Sequence, residues 1–196
     1  MYKKFVKRFL DFILAFILIV ILFLLMILIG LFVFITDPGP VFYAQKRFAR
    51  NGTDGRHRFF KIIKFRTMKV NTPDVPTDKL KDPGKYVTFC GRILRRTSLD
   101  ELPQLFNILV GQMSFVGPRP ALWNQTELMK MRDKNGSSSL RPGLTGWAQI
   151  NGRDDIPEDL KARLDGEYAS KISFGFDLKC FFGTFVKVFK SDGVKG

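Results

Sequence analysis

The chain is poor in the residues that build metal and redox sites. Its 196 residues include one histidine, His57, and two cysteines, Cys90 and Cys180. A single imidazole excludes a histidine-rich metal centre, and no cysteine cluster offers a zinc site. Two isolated thiols form no disulfide framework and fit a reducing compartment. Neither a Walker A loop nor a G-x-G-x-x-G loop occurs, which excludes the standard nucleotide cradles. No internal repeat and no linker divides the chain. Proline is missing from the first 37 residues, so nothing there forces a helix to break. Acids are scarce too: 18 Asp and Glu stand against 32 Lys and Arg. Such an excess suits an anionic membrane surface, an anionic substrate or nucleic acid.

What the chain does have begins with Phe12 to Ile35, apolar throughout except for Gly30. A helix of that length extends about 36 Å, enough for a bilayer core of about 30 Å. The run is too long for a signal peptide, and no small-residue cleavage site follows it. Phenylalanine, with 21 copies, carries most of the aromatic content and has no polar group needing a partner in lipid. Lys3, Lys4, Lys7 and Arg8 precede the run, and Lys46, Arg47 and Arg50 follow it. With both flanks basic, the positive-inside rule gives no direction across the membrane. Residues 1–36 are expected to be the membrane-inserted helix and residues 37–196 a separate domain.

The rest reads as a small α+β domain, mainly helical. Val41–Arg47 and Phe59–Arg66 are predicted strands of a β-hairpin around Asn51-Gly52. Residues 71–86 read as a loop. Helices are expected over Leu102–Gly111, Ala121–Asp133, Asp154–Lys171 and Phe174–Lys190. The last is amphipathic, placed on the membrane or on the core. Arg141–Arg153 is too rich in glycine for a regular element, and its glycines would let backbone N–H groups approach a ligand.

The candidate chemistry sits at Thr97-Ser98-Leu99-Asp100-Glu101-Leu102-Pro103-Gln104-Leu105. Here two adjacent carboxylates lie in a basic chain, with Arg95 and Arg96 before them and Arg119 after them. Acids among arginines suit a phosphate-rich substrate, which needs cationic clamps plus a nucleophile or metal ligand. A purely structural reading is a helix cap. Ser98 and Glu101 have capping-box spacing, although Pro103 fits better with Asp100 as the capping residue. Either way the carboxylates sit at or near a helix N-terminus. Arg119 lies between Pro118 and Pro120, whose rings limit backbone motion, and a fixed arginine is a good bidentate phosphate ligand.

Four ordered blocks carry a resemblance. They are Lys64-Phe65-Arg66-Thr67-Met68, Ser98 to Leu105, Met113 to Pro120, and Arg141 to Arg153. Together they resemble the bacterial sugar transferase family, the small monotopic phosphoglycosyl transferases, from the N-terminus to about Phe189. The resemblance implies transfer of a sugar 1-phosphate from a UDP-sugar to polyprenol (undecaprenyl) phosphate, releasing UMP. It implies Asp100 as nucleophile on the sugar-proximal phosphorus, Glu101 as base or metal partner, and Mg²⁺ held by Asp100 and Glu101. Lys64, Arg95, Arg119, Arg141 and Arg153 match charged positions of the blocks and are assigned to phosphate and carboxylate contacts. The expected location is the bacterial cytoplasmic membrane, catalytic domain on the cytoplasmic face, with the lipid bilayer as partner and no nucleic acid. The family's helix is re-entrant, broken near its middle by Ser-Pro. The matching positions here are Phe23 and Leu24, so a straight spanning helix is the alternative. A membrane-anchored basic protein that binds anionic lipid or nucleic acid without catalysis explains the charge. It leaves the acid pair unexplained, since carboxylates repel both ligands.

Overall fold

The computed structural model describes residues 2–52, 54–73, 82–152 and 156–189. A short π-helical turn, Tyr2–Val6, leads into α1, Lys7–Thr36. The helix is continuous through Phe23 and Leu24. With no proline to remove a hydrogen bond, the backbone ladder has no reason to open there. The break that the resemblance implies is therefore not in this structure. Asp37-Pro38-Gly39-Pro40 ends the helix, and β1 (Phe42–Phe48) pairs antiparallel with β2 (Phe59–Phe65). Next come α2 (Phe89–Thr97), a 3₁₀ turn over Leu99–Glu101, α3 (Gln104–Leu109) and β3 (Ser114–Val116). After α4 (Thr126–Lys134), β4 (Gly143–Thr145) pairs in parallel with β3. The chain closes with α5 (Trp147–Gly152), α6 (Glu158–Lys171) and α7 (Phe174–Phe189).

Helix α1 is part of the domain's packing along its whole length. One stripe, Asp11, Ala15, Met26, Ile29 and Val33, is buried. Ala15 packs with Phe60, Ile62, Leu105, Ile108 and Phe115, while Met26, Ile29 and Val33 pack with Phe65, Cys90 and Leu94. Both ends are also fastened by polar contacts. Lys7 pairs with Asp177 at 2.6 Å, and Arg8 donates to the carbonyls of Ile108 and Leu109 at the C-terminus of α3. Asp11 Oδ1 accepts from Phe115 N at 3.1 Å. At the far end Arg66 meets the Asp37 carboxylate at 2.9 Å. The remaining faces expose large apolar groups, among them Phe9, Phe12, Phe16, Phe23, Leu24, Ile27 and Phe34.

Three segments differ from expectation. Helix α4 begins at Thr126, because residues 121–125 form a turn in which Leu122 bridges to Arg47 and its N–H is taken by Gln125 Oε1. Helix α6 begins at Glu158, after Pro157 holds the chain extended. The glycine-rich stretch contains β4 and α5, with its glycines pressed against backbone. A Cβ on Gly143 would lie 2.2 Å from Gly117 N, and one on Gly146 would lie 2.1 Å from Gly117 O. These glycines let two chain segments touch, which is a packing use of the missing side chain.

Candidate functional site

The acid pair sits in the 3₁₀ turn between α2 and α3. Ser98 makes no side-chain cap. It caps the end of α2 in the left-handed region, φ 57°, and is the one non-glycine residue with positive φ among the described residues. That conformation is strained for a residue with a side chain and turns the chain sharply out of α2. Pro103 then occupies the N-cap of α3, where its missing N–H costs no helical bond. Asp100 is thus in the turn that precedes α3, and it is buried at 8% exposure.

Three cations from three elements converge on the turn. Lys64, near the end of β2 and paired across to Tyr43, places Nζ 2.6 Å from Glu101 Oε1. Arg119, in the loop after β3, places Nη2 3.5 Å from the same oxygen. Arg95, in the last turn of α2, is aimed by Thr67, whose Oγ1 accepts from its Nε at 2.9 Å. Helix α2 approaches Thr67 this closely because residue 91 is glycine. A Cβ there would lie 2.0 Å from Thr67 O.

The two carboxylates are treated differently. Glu101 is neutralised by direct contact with Lys64 and Arg119. Asp100 makes no side-chain hydrogen bond among the described residues, and the cations act on it through space. Burial pushes its pKa up to about 6. Lys64, Arg95 and Arg119 pull it down, while the Glu101 charge pushes it further up. A largely buried carboxylate poised near neutrality, with no hydrogen-bond donor among the described residues, has lone pairs available for a phosphorus centre or a hard cation.

Of the other sequence candidates, Arg153 lies outside the described residues. Arg141 lies at the opposite end of α3, where its Nε donates to Gly111 O at 3.0 Å beside Arg8 and Arg50. Arg66 lies past the end of β2 and turns to Asp37. Sequence reasoning passed over Asn107, buried inside the apolar run of α3. Its Oδ1 accepts from Ile63 N and its Nδ2 donates to Lys61 O and Gln112 Oε1, which ties α3 to the strand carrying Lys64. A lone amide in Leu105-Phe106-Asn107-Ile108-Leu109 is the signal that marked it, since a buried amide needs partners.

Among the described residues no group of three or more His, Cys, Asp or Glu gathers. The donor set is two adjacent carboxylates, one without a side-chain hydrogen bond among the described residues. That fits Mg²⁺, which takes one or two protein carboxylates and completes its shell with water and substrate phosphate.

Comparison with known proteins covers nearly the whole chain. A family model described as bacterial sugar transferase matches residues 2–191. The chain is 41% identical over 168 residues to the UDP-glucose:undecaprenyl-phosphate glucose-1-phosphate transferase of Escherichia coli (strain K12), a match covering 82% of this chain and 35% of that protein. It is 41% identical over 156 residues to the uncharacterized sugar transferase EpsL of Bacillus subtilis (strain 168), covering 80% of this chain and 73% of EpsL. It is 35% identical over 173 residues to the undecaprenyl-phosphate galactose phosphotransferase of Salmonella typhimurium, covering 80% of this chain and 35% of that one. The chain thus spans about a third of the longer relatives.

Proposed function

This chain belongs to the bacterial sugar transferase family, and we propose that it transfers a sugar 1-phosphate from a UDP-sugar to a polyprenyl phosphate in two steps. The observation that carries the reading is Asp100, buried and without a hydrogen-bond donor among the described residues, inside a ring of Lys64, Arg95 and Arg119. In the first step an Asp100 oxygen bonds to the sugar-proximal phosphorus as the bond to UMP breaks. In the second an oxygen of the polyprenyl phosphate bonds to that phosphorus and the bond to Asp100 breaks, restoring the carboxylate. Lys64, Arg95 and Arg119 orient the diphosphate and offset charge as it shifts to the leaving group. Glu101 holds Lys64 and Arg119 in place and accepts a proton or shares a metal. Mg²⁺ held by Asp100 and Glu101 would supply further neutralisation of the phosphates. Residues 37–196 are the catalytic part in this reading.

The arrangement of α1 supports a location at the membrane face. Both of its ends are fastened to one domain, while its outer faces are apolar. A helix standing upright across a bilayer would draw the flanking charged domain into hydrocarbon, at high cost. We place α1 low in the interface, both ends on the cytoplasmic side, with Phe174, Leu178, Phe182 and Val186 of α7 exposed for the same surface. Single cysteines at position 3 and near Thr77, in a cysteine-free background, should both resist an impermeant thiol reagent on intact cells. Labelling at position 3 alone would show that α1 spans.

The reaction is tested by incubating the full chain with labelled UDP-glucose, UDP-galactose or UDP-N-acetylhexosamines and Mg²⁺, without polyprenyl phosphate. UMP should form in an amount comparable to enzyme, with sugar phosphate on the peptide containing Asp100. If UMP forms only when polyprenyl phosphate is present and no adduct is trapped, transfer is direct and Asp100 serves as a metal ligand. If UMP forms with no combination while salt-sensitive oligonucleotide or lipid binding persists, the chain is a binding protein.

A further inference from the structure

Arg119 faces a mechanical problem that its neighbours create. Pro118 and Pro120 have no N–H, so backbone carbonyls are the main handles by which the segment can be held. Four successive carbonyls are each taken by a donor from elsewhere. Pro118 O accepts from Gly143 N at 2.8 Å, and Ala121 O accepts from Phe48 N at 3.0 Å. Pro120 O accepts from Arg47 Nη1 at 3.0 Å. Arg119 O accepts from Arg132 Nη1 at 3.1 Å.

The donor to Arg119 itself is the most elaborately built of the four. Arg132, on α4, donates through Nε at 2.9 Å and Nη2 at 2.6 Å to Asp165 Oδ2 on α6. The two residues are 4% and 1% exposed. Burying both charges is expensive, and a buried pair is weak evidence of stability by itself. The fork geometry accounts for the choice of arginine. Two N–H groups lock the guanidinium plane on Asp165, which leaves the third pointing at one backbone oxygen.

We propose that Arg132 and Asp165 are positioning residues for the transfer. They fix the backbone of Arg119 so that its guanidinium reaches Glu101 and the phosphates beside Asp100. The proposal rests on the assignment of Arg119 to substrate phosphate made above. Its competitor is a pair that merely ties α4 to α6. The two differ in coupling: a positioning pair works only through Arg119, whereas a structural tie acts whatever stands at position 119.

The test is a double-mutant cycle on the full chain, using the best UDP-sugar of the panel with polyprenyl phosphate and reading UMP release alongside Tm. Arg119→Ala should lower kcat/KM about tenfold, the effect of losing a charge-assisted phosphate contact. Replacing the buried pair by Arg132→Met with Asp165→Leu fills the space with apolar groups, a change that buried pairs often tolerate. It should change the same kinetic parameter about tenfold, and by less than about twofold when Arg119→Ala is already present. Arg132→Lys keeps the charge beside Asp165 but loses the fork, and should show the same signature at roughly threefold. If the apolar pair fails to fold, the cycle with Arg132→Lys decides. Effects that multiply in an active enzyme, or kinetics unchanged in a folded variant, overturn the positioning role. A folded wild-type chain that releases no UMP from any donor overturns the reaction itself, a result distinct from either.

Discussion

Asp100 and Asp165 are both more than nine-tenths buried, and arginine stands beside each. At Asp165, Arg132 donates two hydrogen bonds to one oxygen, and burial raises the carboxyl while Arg132 pulls it back by direct contact. At Asp100, burial raises the carboxyl to about 6, and the surrounding cations pull it back only through space. Of the two, only Asp100 keeps a carboxylate without a hydrogen-bond donor among the described residues. The lesson is that burial beside arginine does not mark a reactive carboxylate. In the proposed mechanism what distinguishes Asp100 is the absence of directed donors among the described residues inside a cationic ring, because each directed hydrogen bond occupies a lone pair and holds the carboxylate in place.

Neutral amides at the two positions should break the comparison into two phenotypes. Asp100→Asn keeps size and removes the charge. UMP release should fall by at least about a thousandfold, as expected for loss of a covalent nucleophile, while Tm holds or rises because a buried charge is gone. No sugar phosphate should be found on the peptide. Asp165→Asn leaves Arg132 buried without a counter-charge and should cost about 3 kcal/mol of stability, read by chemical or thermal unfolding. Equal loss of stability at both positions would erase the distinction.

Within the site itself, Glu101 offers a finer division. Its carboxylate is already committed to Lys64 and Arg119, so it resembles Asp165 more than Asp100. Glu101→Gln should slow turnover by about a hundredfold, the low end for a lost general base, yet still yield the covalent adduct on Asp100. Complete absence of adduct would move the nucleophile's role toward Glu101.

Much of this was legible in the sequence, and the reason is locality. The apolar run of α1, the two hairpin strands and the acid pair are defined by neighbours within a few positions. So is Arg119, confined by its two prolines. What the sequence hid depends on distant segments meeting. Arg132 and Asp165 are 33 positions apart, each an ordinary charge on a polar helix. The glycines at 143 and 146 read as a ligand cradle until Gly117 came against them. Arg141 sits in a block with Arg153, but Gly111 O draws it to the far end of α3. Ser98 has capping-box spacing, and its left-handed backbone is set by the tight turn between α2 and the acid pair, which no side-chain pattern announces.

The smallest effect sought concerns where Asp100 titrates. In the proposed mechanism the carboxylate must be ionised to attack, so kcat/KM for the UDP-sugar should fall as pH drops through about 6, about tenfold per unit below it. Two variants give the limb a sign. Glu101→Gln removes the adjacent negative charge that raises Asp100, and it also releases Lys64 and Arg119 to act on Asp100 more strongly. Both effects favour the ionised form, so the acid limb should move to lower pH. Arg119→Ala removes a cation that lowers Asp100, and the limb should move to higher pH. The rate of the first UMP burst is the right readout, because it isolates attack by Asp100 from the second transfer. Opposite displacements in the two variants would identify Asp100 as the group being titrated. A limb that stays in place in both would assign the titration to the substrate phosphates and leave Asp100 ionised across the range.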